Sequence, residues 1–197
     1  MIKKYFEKLC KGPIWFEKIS LITKDYTLNH EQECAFRIVA NHVDIPGSEQ
    51  LKMYIGGMGG TRKSQVLKSL MKFFDLRGES HQFVVVAPMG NAASLLGGST
   101  YHYMFGINDQ TNISNAMLSQ VKDQLIGIDY IFLNEVSMLS CHDLYCISEW
   151  LGNIMNTSDI FGSLNIIFTG DFTQLPPAIG HENASLYSHT VGLRSST

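Results

Sequence analysis

The eight residues from Gly57 to Ser64, GMGGTRKS, have the types and spacing that wrap a phosphate chain. The pattern for such a loop is G-x-x-x-x-G-K-[S/T], and Gly57, Lys63 and Ser64 fit it. Successive backbone N–H groups through Gly59, Gly60, Thr61 and Arg62 would make an anion nest at a helix N-terminus. Lys63 would reach the β- and γ-phosphates, and the Ser64 hydroxyl would bind Mg²⁺. Arg62 stands where the second glycine belongs. It adds a cation but also bulk, and an unfavourable dihedral there costs about 1–3 kcal/mol. The plainer alternative is a glycine-rich turn followed by a surface lysine.

A second stretch, YIFLNEVSML, ends an apolar run on a polar pair. A nucleotide hydrolase needs one acid near Mg²⁺ and another to orient the attacking water. Asn134 and Glu135 occupy those places. Asn134 keeps the shape of an aspartate without its charge, so it would be a weakened Mg²⁺ ligand. A charge-assisted hydrogen bond is worth about 1.5–3 kcal/mol. Glu135 would serve as the water-orienting base. The alternative is an ordinary strand followed by a capped turn.

These groups need a scaffold, and the flanking patterns supply one. LKMYIGG reads as a strand running into the glycines, and KSQVLKSLMKFFDLRG as a helix with Val66, Leu67, Leu70, Met71 and Phe74 on one face and Gly78 as its stop. QFVVVAP, DYIFL and LNIIFTG are apolar strands, and continuous β-branched runs suit a parallel sheet covered on both faces. Helices are expected over 114–125 and 141–155, with a short one at the start of the Gly/Ser/Thr/Asn-rich stretch 91–114. LNHEQECAFRIVANHV reads as a helix with Asn29 as N-cap, Gln32 completing a capping box, and Ala35, Ile38, Val39 and His42 at helical spacing. Residues 1–27 give no clear pattern and form a lead-in segment. Strand and helix alternate, so the fold class is α/β with crossover helices.

The chain has 197 residues, 45% of them hydrophobic, and a net charge of −3, which gives no global basic field. Six of the 15 lysines and arginines lie in the first 25 positions, and between Gly78 and Gly192 there is only Lys122. Nucleic acid bound there would be held by aromatic, hydroxyl and backbone groups more than by salt links. Cys10, Cys34, Cys141 and Cys146 have neither zinc-pair spacing nor a disulfide framework, so reduced thiols and no zinc are expected. The start MIKKYFEKLC is too charged for the apolar core of a signal peptide, and no apolar run is long enough to span a membrane. An intracellular setting is expected.

Five segments, GGMGGTRKS, VVVAPMGNAA, GGSTYHYMFGI, FLNEVSM and FTGDFTQLPPA, occur in the order and spacing of the PIF-type (petite integration frequency) DNA helicases, relatives of RecD in helicase superfamily one. The wording is especially similar to helicase domains of fungal helitron-like transposons. The resemblance runs from about Leu28 to about Leu186. It implies a RecA-like P-loop NTPase domain over 28–197, ATP and Mg²⁺ as ligands, single-stranded DNA as partner, 5′ to 3′ movement, a nuclear or mitochondrial location, and work in recombination, repair or telomere upkeep. Residue by residue, it implies that Gln32 reads adenine, Lys63 and Ser64 contact phosphate and Mg²⁺, Glu135 is the catalytic glutamate, and Gln174 senses the γ-phosphate. Gln32 remains equally a capping residue. Pro88, Gly90, Asn91, Thr100, His102 and Tyr103 match the segments that grip single-stranded DNA, while Tyr101 and Tyr103 have packing as an alternative. Met89 departs from the threonine usual at its position.

Helicases of this family use two RecA-like domains. The sequence ends at VGLRSST, so the expectation is a first motor domain without the second, which would bring an arginine finger worth a factor of about 10³–10⁵. Arg194 has no motif around it. Two functional expectations therefore stand side by side. One is an ATP-dependent DNA helicase in the form of its first motor domain. The other is a nucleotide- or DNA-binding module that hydrolyses nothing, favoured by Arg62, Asn134 and Met89.

Overall fold

A computed structural model of the chain describes residues 13–45, 47–107, 115–177 and 184–188. Cys10, Arg194 and the first twelve residues of the lead-in segment lie outside the described residues. Two units form: residues 1–49 with 62–80, and residues 50–61 with 81–197.

The first unit is helical. Residues 13–25, patternless in sequence, form α1 (Pro13–Asp25), with proline at the first helical position, where its missing N–H costs nothing. Ile19, Ile22 and Thr23 are its buried stripe. Next comes α2 (His30–Val43). Asn29 caps it, and the expected box with Gln32 is present in both directions. Then α3 (Lys63–Arg77) ends at Gly78, whose φ of 71° lets its N–H turn back to the Asp75 carbonyl. The buried face of α2 is Ala35, Phe36, Val39 and Ala40, not the expected row through Ile38 and His42. Ile38 is 36% exposed. The register is set by Phe36, which packs edge-on against Phe73 of α3 at 5.9 Å. In α3 likewise, Phe73 is fully buried and Met71 only half-buried. Arg77 pairs with both Asp44 and Glu79 and lies over the Phe73 ring.

The second unit holds a five-stranded parallel sheet. Its strands are β1 (Lys52–Gly56), β2 (Phe83–Ala87), β3 (Ser99–Thr100), β4 (Tyr130–Asn134) and β5 (Asn165–Gly170), in the order β1-β5-β4-β2-β3. Every residue of β4 is buried, as an apolar central strand must be. The helices are α4 (Gly90–Ser94), α5 (Tyr101–Phe105), α6 (Asn115–Leu125) and α7 (Cys141–Met155). Ile131 and Leu133 of β4 cluster with Val121 and Leu125 of α6 and Ile147, Leu151 and Ile154 of α7. A Ser140–Asp143 capping box starts α7. No helix among the described residues is long and apolar enough to cross a membrane.

Candidate nucleotide and nucleic-acid site

The chemistry-bearing residues of the second unit gather at the carboxyl ends of three adjacent strands, β1, β5 and β4. In open α/β sheets this is where ligands bind. Because β5 lies between β1 and β4, the segment after it is flanked by the other two.

After β1, the backbone turns through Gly57–Thr61. Thr61 N–H and Oγ1 both donate to the Met58 carbonyl, at 3.2 and 2.8 Å. Gly60 has φ 83°, open to glycine and costly for other residues. A Cβ on Gly59 would fall 2.5 Å from Gln174 Nε2 and 3.9 Å from Asp171 Oδ2, so this glycine makes room for the glutamine amide. Thus two motifs 115 positions apart, from Gly59 to Gln174, are in contact. The turn is glycine-lined, and the Gln174 amide packs against it at Gly59.

After β5, Gly170 leads into a turn built on Asp171. Asp171 is 4% exposed, and its Oδ1 accepts from Thr173 N–H and Thr173 Oγ1. Gln174 N–H bonds to the Asp171 carbonyl at 3.0 Å, which leaves the Gln174 side chain exposed at the top of the turn. Asp171 was assigned no role in the sequence analysis, although it sits inside the GDFTQ segment. It shapes the turn that carries Gln174. Tyr54, on β1, donates from its hydroxyl to the Gly170 carbonyl. Burial, and then the negative charge of Asp171, pushes the Tyr54 phenol above its ordinary value.

After β4, Asn134 is buried and Glu135 half-buried. Glu135 has φ 57° and starts a single helical turn over Val136–Met138. That turn sits against Gly170, where a Cβ would meet Val136 Cγ1 at 2.9 Å and Val136 N at 3.1 Å. Asn134 Oδ1 accepts from Thr169 Oγ1 at 2.7 Å, and Nδ2 donates to the Ala92 carbonyl at 3.3 Å. A carboxamide oxygen has a second lone pair, which is what a metal at this position would use.

Farther along the same sheet ends lie the residues matched to DNA-gripping segments. Pro88 is half-buried, and Gly90 and Asn91 are exposed at the start of α4. Thr100 caps α5 by accepting from Tyr103 N–H at 3.3 Å. Tyr101 is buried and its ring stacks on exposed His102 at 3.9 Å, so Tyr101 is the packing residue of the pair. Tyr103 is 75% exposed.

The remaining predicted residues belong to the first unit. Arg62 precedes α3 with φ 56° and ψ 36° and makes no side-chain cap. It holds the left-handed conformation that a glycine would supply. Lys63 and Ser64 are the first two residues of α3. Gln32 is the third residue of α2, and its Oε1 accepts from Asn29 N–H at 2.9 Å. Among the described residues no cluster of three His, Cys, Asp or Glu side chains is arranged to hold a metal ion.

Comparison with known proteins gives one consistent answer. The family model described as PIF1-like helicase matches residues 27–193. The ATP-dependent DNA helicase PIF1 of Trypanosoma brucei brucei is 31% identical over 159 residues, which is 77% of this chain and 15% of that protein. PIF4 of the same organism is 32% identical over 75% of this chain and 18% of its own length. RRM3 of Saccharomyces cerevisiae is 27% identical over 68% of this chain and 20% of its own. The chain therefore spans a fifth or less of these relatives. Among solved structures, the Pif1 helicase from Candida albicans superposes with TM-score 0.64 at 26% identity, over 77% of this chain and 34% of that one. A Bacteroides Pif1 complex with ADP-AlF3 and single-stranded DNA shares the fold at TM-score 0.61 and 24% identity, over 76% of this chain and 33% of that one.

Proposed function

The chain belongs to the PIF1-like helicase family, and from that premise we propose that it is the ATP-binding motor unit of a DNA helicase that moves 5′ to 3′ along single-stranded DNA inside the cell, in the nucleus or mitochondrion. The observation that carries the reading is the contact of Gln174 with Gly59 at adjacent strand ends, beside Glu135. A phosphate loop, a residue fit to sense its occupant and a carboxylate fit to orient water are thereby supplied by neighbouring elements.

In this reading Gly57, Gly59, Gly60, Thr61 and Arg62 surround the triphosphate, and Lys63 adds charge to its β- and γ-phosphates. Ser64, with a weakened Asn134, would hold Mg²⁺, whose chemistry is to neutralise charge on the phosphate oxygens. Glu135 orients the attacking water and takes its proton. Gln174 hydrogen-bonds the terminal phosphate and loses that partner when the phosphate leaves. Gln32 caps α2 and reads adenine. Exposed His102 and Tyr103 stack on bases, each ring worth about 1–3 kcal/mol, and Pro88, Gly90, Asn91 and Thr100 line the strand's backbone.

A second reading is favoured by Arg62 in the left-handed region and by the missing charge at Asn134. Here the chain binds nucleotide or DNA without hydrolysis. A fluorescent ATP analogue and a DNA-stimulated ATPase assay separate the two. Binding that drops about tenfold or more in Lys63→Ala, with turnover lost in Glu135→Gln, supports the motor. Binding without turnover in the unmodified chain supports the second reading, and no binding at all rejects both.

A further inference from the structure

The side chain of Asn134 joins two segments that nothing in the sequence connects. Its amide nitrogen donates to the Ala92 carbonyl in α4, and its amide oxygen accepts from Thr169 Oγ1 at the end of β5. Asn134 is 7% exposed and Thr169 fully buried, so water does not compete for the bond between them, while the bond to Ala92 is partly buried. The chemistry at the two ends is opposite. A carbonyl can only accept, so the Ala92 side demands a donor. The Thr169 hydroxyl arrives as a donor, so that side demands an acceptor. A short carboxamide meets both demands without charge. A carboxylate meets only one, and would set an anionic oxygen against the Ala92 carbonyl.

The two segments so joined are the two ends of the proposed machine. Thr169 is followed by Gly170 and then by the Asp171 turn that presents Gln174. Ala92 follows Gly90 and Asn91 in the turn matched to single-stranded DNA. We propose that Asn134 is a positioning residue, a hydrogen-bonded link through which the turn carrying Gln174 is tied to the DNA-gripping segment Gly90–Ser94. The assignment of that segment to DNA rests on the proposed function, whereas the link itself rests on the two hydrogen bonds. On this account the asparagine gives up the charge of a carboxylate and gains a mechanical connection. Restoring aspartate there breaks the connection.

The test is hydrogen–deuterium exchange by mass spectrometry on the whole chain, comparing the unmodified protein with Asn134→Asp, Thr169→Val, Thr169→Ser and the double variant Asn134→Asp/Thr169→Val. Thr169→Val matters most, because Thr169 contributes its bond from the far side of Asn134 and Val keeps its shape. Exchange in the peptide covering 90–98 should rise about fivefold in Asn134→Asp and in Thr169→Val, the scale of one hydrogen bond. It should rise no further in the double variant, and Thr169→Ser, which keeps the hydroxyl, should restore protection. If Thr169→Val leaves 90–98 unchanged, Asn134 merely supports its neighbour and the link is overturned. This comparison needs no Asn134 variant to fold. A second arm measures anisotropy of a labelled oligo-dT. Affinity about fivefold weaker in Thr169→Val and in Asn134→Asp supports the proposal. Unchanged affinity in variants whose parent binds overturns its functional half. A parent chain that binds no oligonucleotide removes the DNA reading of Gly90–Ser94, and the exchange arm still decides the link.

Discussion

Arg62 holds φ 56° and ψ 36°, a region that glycine enters freely and arginine enters at a cost. That strain is carried by the residue itself. Arg62→Gly should therefore raise unfolding stability by about 0.5–1 kcal/mol, the local strain less the entropy a glycine adds to the unfolded chain. A urea titration measures this; an unchanged or lower midpoint would mean that the guanidinium stabilises the loop in a way its backbone does not reveal. Cys146 offers a second test. Burial, then the nearby Asp143 charge, pushes its thiol above the ordinary value. At pH 8 the folded chain thus holds less thiolate there than the unfolded chain. Alkylation of Cys146 by iodoacetamide should be a few-fold slower in the native protein than in urea, with the gap closing as pH rises past the elevated value. Mass spectrometry of the Cys146 peptide reads the rate. At this scale the sequence was eloquent about the residues proposed for chemistry, since Gly57, Lys63, Glu135 and Gln174 announce themselves by motif. It was silent about Asp171 and Thr169, because a residue that shapes a turn or passes on a hydrogen bond is recognisable only from its partners.

Helices and strands were legible where burial imposes a period. The bounds of α7 and the positions of β1, β2, β4 and β5 agree with the apolar patterns, and the Asn29–Gln32 box is present as expected. What was missed has a physical cause. The strand Ser99–Thr100 and helix α5 lie in a polar, glycine-rich stretch and are too short for a period to emerge. In α2 two apolar rows compete, and only contact of Phe36 with Phe73 decides between them. Gln32 is the element whose two readings a measurement can separate. Asn29→Ala removes the side-chain cap and should cost about 1 kcal/mol of stability while leaving ATP-analogue affinity within twofold, roughly. Gln32→Ala should cost a similar or smaller amount and, if it reads adenine, also weaken ATP against a triphosphate lacking the base. Equal losses for both ligands would leave Gln32 a capping residue alone.

At the scale of the whole molecule, charge distribution makes the sharpest prediction. Between Gly78 and Gly192 the one lysine or arginine is Lys122. Single-stranded DNA held by this stretch displaces few counterions, so log affinity should fall with log salt at a slope no steeper than about −1, at roughly 0.7 per neutralised phosphate. An anisotropy titration over a salt series reads it, and a slope near −4 would mean that the basic residues outside this stretch carry the binding. The sheet order has a consequence in time as well as in space. Strand β5 slots between β1 and β4, and Lys52 pairs with Ile166 across more than half the chain. A ribosome reaching β4 has made the glycine loop and Glu135, yet the gap between their strands is still open. Until β5 emerges and closes over a loop of more than a hundred residues, the strands that carry the glycine loop and Glu135 are not joined. On the proposed function, nucleotide thus meets a joined site only after β5 is made, and cannot serve as a template for the folding that precedes it.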